Sequence, residues 1–342
     1  MSEHPAPPGV RALADEVLFP AAMRVDGLDA LPAGHLDALA AAGLYGAPVP
    51  REDGGLGLDL GGICAVAEEL AGGCLATAFV WIQHRGLVTT LAAEGTPAAL
   101  REQWLGPVCQ GSVRGGITTI GLIPGPPRLR AQPAADGWRL SGEAPWVTGW
   151  GLVDLLLLTA RGPEETAVTL IVDAAAQPGL TVTRERLVAV NASATVRLRF
   201  DGVAVPGERF VSQVPFDPVA SVRLDRLRVD GSLALGVTGR CCRLLGPGPL
   251  DDELAACRQR LDAALDADTA TMAQARAAAS ELAVRSAAAL AVRDGRQAVT
   301  ADAHAQRLAR EALFLLVFGL RPAIKSALLQ RLGAAAALSC RA

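Results

Sequence analysis

The spacing of apolar residues changes twice along the chain. Between about residues 9 and 112 apolar side chains recur every three or four positions, as at Leu36, Leu39 and Ala40. This spacing predicts amphipathic helices. The Gly- and Pro-rich stretch 46–57 predicts an interruption between them. The first part of the chain is therefore predicted to be a small helical domain.

Between about residues 113 and 213 the period becomes two, which predicts strands. The alternating apolar residues fall in three runs: Val168, Leu170 and Val172; Val196, Leu198 and Phe200; Val203 and Val205. The Asp-Gly pair at 201–202 predicts a turn between the last two runs. We expect a compact antiparallel β-domain, a barrel or a sandwich.

From about residue 217 the helical spacing returns. The segment 269–292 is dense in Ala, with Arg and Glu expected on its outer positions, and 308–332 predicts two helices broken at Gly319–Pro322. The predicted fold class is α+β with three domains. They are an N-terminal helical domain (1–112), a middle β-domain (113–213) and a C-terminal helical bundle (214–342).

Composition limits the classes of function. The chain has 342 residues, a net charge of −3 and a pI of about 5.9, without blocks of basic residues, so no nucleic-acid partner is expected. The apolar runs 152–158 and 313–320 are shorter than the roughly 20 residues that span a bilayer. Residues 1–8 lack the basic and apolar parts of a signal peptide. We therefore expect a soluble, cytoplasmic protein.

The cysteines give no sign of a metal site or of disulfides. None of them has CxxC spacing or a neighbouring His, and their number is odd. Cys241 and Cys242 are adjacent on a predicted helix, where small apolar packing is the expected role. The seven positions are 64, 74, 109, 241, 242, 257 and 340.

Residues 138–150 combine an alternating strand, a Ser-Gly turn and a polar-aromatic strand end. Trp146, Val147 and Thr148 match the aromatic-aliphatic-Thr triplet that contacts the flavin ring in the acyl-CoA dehydrogenase family, and the sequence resembles that family. Three further segments agree in order and spacing over about two thirds of the chain. They are the loop-to-helix passage 43–72, the strand with its Val-Pro exit at 195–211, and the helix start 223–236.

The resemblance implies FAD as cofactor and an acyl-CoA or acyl-carrier-protein thioester as substrate. Such enzymes remove two hydrogens from adjacent carbons, and a carboxylate takes the α-proton while flavin N5 takes the hydride. An indole such as Trp146 supplies a flat wall for the ring, and the Thr148 hydroxyl can donate to its N5/O4 edge. The resemblance also implies a place in fatty acid metabolism, a homodimer or homotetramer, and an electron-transfer flavoprotein as partner.

One position resembles an early catalytic base of the family. Asp225 stands where some branches place Glu directly before an Arg, here Arg226. Asp is one methylene shorter, and a misplacement of about 1 Å can cost a hundredfold in rate. Capping or charging the first helical turn is a common use of Asp, and we weight this role of Asp225 above catalysis. Arg226 can face a carboxylate or the thioester, and Asp230 is a further candidate base.

The largest departures concern the cofactor. The loop after the first predicted strand keeps Thr118 and Thr119, which can reach the pyrimidine edge of the ring. It lacks the family's acidic residue and Ser, and its prolines at 126–127 offer no N–H to a phosphate. The family's glycine-rich stretches in a C-terminal domain that is shortened here are also lost. Arg243 or Arg321 can substitute as a phosphate partner.

Two alternatives to a dehydrogenase remain open. A flavin-dependent monooxygenase or N-hydroxylase on the same scaffold needs no α-proton base, and His84 borders the substrate side in such folds. A non-catalytic homologue that serves as a binding or assembly subunit fits the number of departures.

Overall fold

A computed structural model of the protein describes residues 6–218 and 222–333. It has N-terminal helices, a central sheet and C-terminal helices, which confirms the predicted fold class. Cys340 lies outside the described residues. The N-terminal helices, of which the first two are joined by a π-helical turn at Leu13–Leu18, are α1 (Val10–Ala12), α2 (Phe19–Asp26), α3 (Ala33–Ala41), α4 (Leu60–Gly73), α5 (Leu75–Ala92) and α6 (Ala98–Gln110).

The stretch 46–57 separates α3 from α4, as predicted. Asp59 caps α4, because its carboxylate accepts a hydrogen bond from the Gly62 N–H at 2.8 Å. Helix α5 is buried along most of its length. The sheet packs against one side of α5 and the C-terminal helices pack against another.

The middle part of the chain forms one eight-stranded sheet. The order along the sheet is β6-β7-β3-β2-β4-β5-β8, and β1 pairs with β4. The strands are β1 (Gly115–Thr118), β2 (Leu129–Ala134), β3 (Gly137–Val147), β4 (Leu155–Arg161), β5 (Thr166–Asp173), β6 (Leu180–Arg184), β7 (Val196–Pro206) and β8 (Phe210–Pro215).

Two details of the sheet differ from the prediction. It is mixed and not antiparallel throughout, since β1 runs parallel to β4. The long connection through β2 and β3 provides the crossover that a parallel pair requires. The Asp-Gly pair at 201–202 lies inside β7 and makes no turn. Gly202 has φ of 65°, and the pairing with β3 shifts there, so it forms a β-bulge within one strand.

The C-terminal helices pack against the N-terminal ones. Gly236 allows the close approach of α7 to α4, because a Cβ at this position would overlap the carbonyl oxygen of Glu68. The break at Gly319–Pro322 is confirmed by the end of one helix at Val317 and the start of the next at Pro322. The five helices are α7 (Leu224–Leu245), α8 (Pro249–Ala263), α9 (Thr269–Asp294), α10 (His304–Val317) and α11 (Pro322–Arg331).

The expectation that the arginines of 269–292 are on outer positions is wrong for Arg276. Its side chain is only 2% exposed, and its Nη1 donates to the Ser280 hydroxyl at 2.5 Å. The Ser280 hydroxyl in turn donates to the Leu315 carbonyl on α10. Because Ala neighbours leave room, the long Arg side chain extends along α9 towards α7.

Four charged residues connect α4, α7 and α8, and we call them the α4–α7–α8 charge cluster. They are Glu68, Arg228, Arg258 and Asp262. Arg258 donates two hydrogen bonds to Glu68, at 2.8 and 2.9 Å, and Arg228 donates to Asp262 at 2.6 Å. The cluster therefore pairs its charges directly.

The six cysteines within the described residues are all buried and free. Burial raises the pKa of Cys241 to about 12 and that of Cys242 to about 11, so both thiols stay protonated at neutral pH. Within residues 6–218 and 222–333 no helix combines the length and the apolar character that a membrane crossing needs.

Candidate active site

Trp146 has an unusual position near the end of β3. Its side chain is 63% exposed, and its backbone is left-handed, with φ of 59°. The pairing of β3 with β7 is irregular between Ala144 and Val147, so the strand bulges at the Trp. A bulky residue at positive φ is strained, and such strain persists where the surrounding structure fixes it, often at a binding site. The exposed indole is thus a candidate binding surface.

The two residues that follow Trp146 in the sequence are buried, unlike the Trp146 indole. Val147 is fully buried in the sheet core and pairs with Val196. Thr148 is 3% exposed, and its carbonyl lies next to Gly116 of β1. Thr118, 7% exposed, ends that same strand. The predicted ring-facing threonines therefore belong to adjoining segments, which the long β2–β3 hairpin separates in sequence.

Strand β1 is fixed on α5 by two contacts. Gly86 lets the strand approach, because a Cβ there would lie 2.5 Å from the Ile117 Cδ1. The Gly115 N–H donates to the Nδ1 of His84 at 2.9 Å. Burial lowers the pKa of His84 to about 3, so the ring is neutral and accepts this hydrogen bond at every physiological pH. His84 thereby holds β1 in place.

A small cleft lies where the three parts of the chain meet, and we call it the junction cleft. Helix α5, strand β1 and helix α7 form it, and its volume is about 50 Å³. Thr119, which follows β1, contacts Arg226 of this lining at 3.4 Å between Oγ1 and Nη1. The cleft is lined by Ile82, Gln83, Arg85, Gly86, Ile117, Arg226, Val229 and Asp230.

Asp225 lies at the first turn of α7 and at the edge of this cleft. Its carboxylate pairs with Arg223 at 3.0 Å and with Arg85 at 3.7 Å. Partial burial alone would raise the pKa of Asp225, but the hydrogen bonds and charge of Arg223, with the charge of Arg85, leave it below its usual value. The carboxylate is therefore ionised at neutral pH. Asp225 is not the N-cap residue of α7, which is Arg223, but it places a negative charge in the first turn of the helix.

Asp230 is 7% exposed and lines the junction cleft directly. Burial raises its pKa. Four guanidinium groups act against that effect, those of Arg226, Arg276, Arg85 and Arg321. Nevertheless, within the described residues Asp230 forms no ion pair within 4.0 Å. Asp230 and two of these arginines, Arg85 and Arg226, therefore line the cleft without a direct ion pair between the carboxylate and either guanidinium group.

The two predicted phosphate partners lie in different places. Arg321 precedes α11, and its charge acts on both Asp230 and Arg226 at the cleft. Arg243 lies near the other end of α7, about 25 Å from Arg226 along the helix. There it approaches Glu69 at 3.8 Å and packs near Gly72 of α4.

A buried arginine donates hydrogen bonds to the loop that follows β1. Arg161, 2% exposed, donates to the carbonyls of Gly121 and Ile123 at 3.3 Å, and its guanidinium stacks on Phe216 at 3.4 Å. The loop then exposes Pro126, which has no N–H group to donate.

Sequence reasoning missed three arginines around the site: Arg85, Arg161 and Arg276. A signal existed for Arg85, which is the single charged residue of the otherwise apolar helix α5. A charge on a helix that is apolar on all sides needs a partner or a function. For Arg161 and Arg276 the sequence carries no comparable signal, since both occur among residues of mixed character.

The chain thus has a sheet between two helical parts and an exposed aromatic residue at a strand end. The profile of the family described as acyl-CoA dehydrogenase, N-terminal domain, matches residues 8–112. In these residues the chain is similar to the N-terminal domain of acyl-CoA dehydrogenases.

Relatives by sequence are distant. The mitochondrial short-chain specific acyl-CoA dehydrogenase of Bos taurus is 27% identical over 237 residues, which is 66% of this chain and 58% of the relative. The benzylmalonyl-CoA dehydrogenase of Aromatoleum aromaticum is 27% identical over 65% of this chain and 61% of its own. The matched part of this chain thus spans about three fifths of these relatives.

The fold is shared over nearly the whole chain. The butyryl-CoA dehydrogenase of Megasphaera elsdenii superposes with a TM-score of 0.78 at 19% identity, covering 95% of both chains. A chain from the structure of the electron transferring flavoprotein of Acidaminococcus fermentans gives 0.81 at 18% identity, covering 94% of this chain and 95% of that one. These structural likenesses establish the fold.

Proposed function

We propose that the protein is an FAD-dependent oxidoreductase that dehydrogenates an acyl thioester between its α and β carbons. The observation that carries this proposal is the strained, exposed Trp146 near the end of β3, together with a cleft that Asp230 lines and at whose edge Asp225 pairs with Arg85. The names of the relatives, short-chain specific acyl-CoA dehydrogenase and benzylmalonyl-CoA dehydrogenase, agree with this reaction.

The residues present fit the ring end of FAD. An exposed indole offers a flat apolar face, and the hydroxyls of Thr148, directly after β3, and of Thr118, at the end of β1, are the proposed donors to the ring edge. Thr119 joins them from the loop after β1, and Val147 fixes the strand end through the sheet core. When bound, the flavin supplies the acceptor for the hydride. Ring binding by Trp146 would also offset part of the strain in its backbone.

A single chain offers fewer partners for the phosphates of FAD than for its ring. Pro126 and Pro127 donate no N–H group, and Arg243 lies at the opposite end of α7 from the junction cleft, about 25 Å from Arg226 along the helix. We propose that Arg243 meets the phosphates of a flavin bound to a second copy, in a homodimer or homotetramer. The buried Arg161 would hold the loop after β1 against the cofactor.

Asp225 is the proposed base. It must be ionised to accept the α-proton, and the pairing with Arg223 and Arg85 keeps it so at neutral pH. Arg85 also lines the junction cleft, so the ion pair holds the carboxylate at the cleft edge. Arg226, the next residue, would face the thioester. Electrons would then leave through an electron-transfer flavoprotein.

A flavin monooxygenase is the second candidate. The lack of backbone donors at Pro126 and Pro127 supports it, because an enzyme that takes up diffusible reduced flavin needs a weaker hold on the phosphates. In that reaction neither Asp225 nor an acidic α-proton is required.

The deciding experiment is an absorbance spectrum of the purified protein with and without added FAD, followed by anaerobic addition of acyl-CoA thioesters. Flavin bands that bleach with a thioester would support the dehydrogenase. Bound flavin that no thioester bleaches, with oxygen uptake when reduced flavin is supplied, would support the monooxygenase. A protein that binds no FAD and takes up no oxygen when reduced flavin is supplied would contradict both and leave a binding or assembly role.

A further inference from the structure

The start of strand β1 is fixed by two hydrogen bonds to different parts of the fold. The Arg114 N–H donates to the Oδ2 of Asp154, directly before β4, at 2.8 Å. The next N–H, that of Gly115, donates to the Nδ1 of His84 on α5 at 2.9 Å. Within the described part of the chain β1 pairs with β4 alone. His84 therefore supplies an acceptor for a buried N–H that no second neighbouring strand satisfies.

The same strand packs very closely on α5. A Cβ on Gly115 would lie 2.9 Å from the Leu87 Cβ, which is closer than real Cβ atoms approach, so this contact requires glycine. Leu87 is fully buried and has no room to move aside. The contact and the hydrogen bond to His84 together fix the position of β1 on the helix.

The His84 ring is itself held in one orientation. It is buried, and the Tyr45 ring packs against it edge to face, with the centroids 4.7 Å apart. Because Nδ1 accepts the hydrogen bond from Gly115, the neutral ring carries its proton on Nε2. Burial lowers the pKa of His84 to about 3, so the ring keeps this state at any physiological pH.

The residue after His84 faces the other side of the proposed site. Arg85 lines the junction cleft, and its Nη1 lies 3.7 Å from the Oδ2 of Asp225 on α7. Neighbouring residues of an α-helix point about 100° apart. One turn of α5 therefore contacts β1 through His84 and α7 through Arg85. Strand β1 ends at Thr118, the proposed donor to the flavin ring, and Asp225 is the proposed base.

We infer that His84 is a positioning residue, which anchors the start of β1 on α5 and thereby sets the distance between the flavin edge at Thr118 and the carboxylate of Asp225. The hydride acceptor and the proton acceptor must both reach adjacent carbons of one substrate, and a misplacement of about 1 Å can cost a hundredfold in rate. His84 acts through β1 and touches neither the flavin nor the substrate. This inference rests on the proposed function, since it assigns a role within the same site.

Two variants of His84 separate the hydrogen bond from the packing. His84→Phe keeps a ring against Tyr45 and removes the acceptor, whereas His84→Asn keeps an acceptor near the place of Nδ1. In His84→Phe, hydrogen exchange of the segment 113–119, measured by mass spectrometry, should become about tenfold faster. FAD binding, measured by fluorescence titration, should weaken about fivefold to tenfold, and anaerobic bleaching at saturating FAD should slow about 10- to 100-fold. His84→Asn should bring all three to within about threefold of the unchanged protein.

His35→Phe is the control for a general loss of stability. His35 is also a buried histidine, on α3, and its Nδ1 forms a hydrogen bond with the Thr77 hydroxyl at 2.9 Å. This variant should lower the midpoint of denaturant unfolding as His84→Phe does, and leave FAD affinity and bleaching unchanged. If it weakens FAD binding equally, the effect of His84→Phe is a loss of stability and the inference is wrong.

Other outcomes separate the role of His84 from the function. Faster exchange of 113–119 in His84→Phe, with unchanged FAD affinity and bleaching, would overturn the inference and leave the function intact. A His84→Asn variant that keeps this segment protected but binds FAD tenfold more weakly would also overturn it, even if His84→Phe does not fold. If the unchanged protein binds no FAD, the proposed function fails and the role of His84 fails with it.

Discussion

Helix α7 takes part in two groups of charged side chains that differ in how their charges are paired. In the α4–α7–α8 charge cluster, Arg228 and Arg258 contact carboxylates at 2.6 to 2.9 Å. At the junction cleft, one turn or less away along the same helix, Asp230 has no ion pair within 4.0 Å among the described residues, although four guanidinium groups act on it.

The charges of the cluster stabilise the fold through direct ion pairs, whereas the charges at the cleft have no direct partner until a ligand binds. A buried ion pair in direct contact satisfies its own groups, and removing one partner leaves the other uncompensated. A charged group that lines an empty cleft gains a direct polar partner only when a ligand binds there. The comparison therefore predicts that the cluster determines stability and that the cleft determines binding and turnover.

The largest expected effect is on the proposed chemistry. Asp225→Asn should slow anaerobic flavin bleaching by a thioester about 10²- to 10⁴-fold, because the proton acceptor is lost. Asp230→Asn should change the bleaching rate less than about tenfold, since Asp230 balances charge without accepting the proton. Both rates are measured by stopped-flow absorbance, with the flavin content of each variant as control. A large loss in Asp230→Asn alone would make Asp230 the base.

The second prediction concerns stability. Arg228→Met should lower the free energy of unfolding by about 3–5 kcal/mol, because it leaves Asp262 and Glu68 partly uncompensated in a buried place. Arg321→Met should change it by less than about 1 kcal/mol, since no ion pair is broken. Denaturant titration of the ligand-free protein measures both. Equal losses would mean that the cleft charges support the fold in the same way as the cluster.

Local patterns explain what the sequence could predict. The change of period from about four to two and back depends on neighbours in the chain, and it predicted the helices, the strands and the break at Gly319–Pro322. The Asp-Gly pair at 201–202 was interpreted as a turn, because only the pairing of β7 with β3 distinguishes a bulge from a turn. The parallel pairing of β1 with β4 likewise depends on contacts about 40 residues apart in sequence.

The candidate site was predictable in part for the same reason. The strand end at Trp146 is continuous in sequence, so its residues could be named, although their roles stay predictions. The cleft is assembled from residues far apart, with Arg85 on α5, Asp230 on α7 and Arg276 on α9. No periodicity indicates that these side chains converge. The burial of Arg276 in an Ala-rich helix shows that composition alone does not predict which face of a helix is buried.

A smaller effect should distinguish two tryptophans of the same strand. Trp146→Ala should weaken FAD binding by a factor of about 2 to 12, which corresponds to the roughly 0.5–1.5 kcal/mol of one aromatic contact. Its stability should hardly change, because the indole is 63% exposed. Trp138, stacked on Phe210 at a centroid distance of 5.7 Å, is the matched control. Trp138→Ala should lower stability and leave FAD binding unchanged, and the reverse result would remove Trp146 from the flavin site.

The smallest expected effect is on the pH dependence of the bleaching rate. This dependence differs according to whether Asp225 or Asp230 is the base. A carboxyl group accepts a proton only when ionised, and the pairing with Arg223 and Arg85 holds the pKa of Asp225 below its usual value of 3.8. The bleaching rate at saturating thioester should therefore change less than about twofold between pH 8 and pH 5, where Asp225 stays ionised throughout.

Asp230 as the base would give another profile. Burial raises its pKa, so acidification would protonate it at a higher pH than an ordinary Asp and the rate would fall on the acidic side. The Asp225→Asn variant provides the background rate at each pH. A fall that persists in that variant would arise from Asp230, and the distinction between paired and unpaired charges would then apply to catalysis as well as to binding.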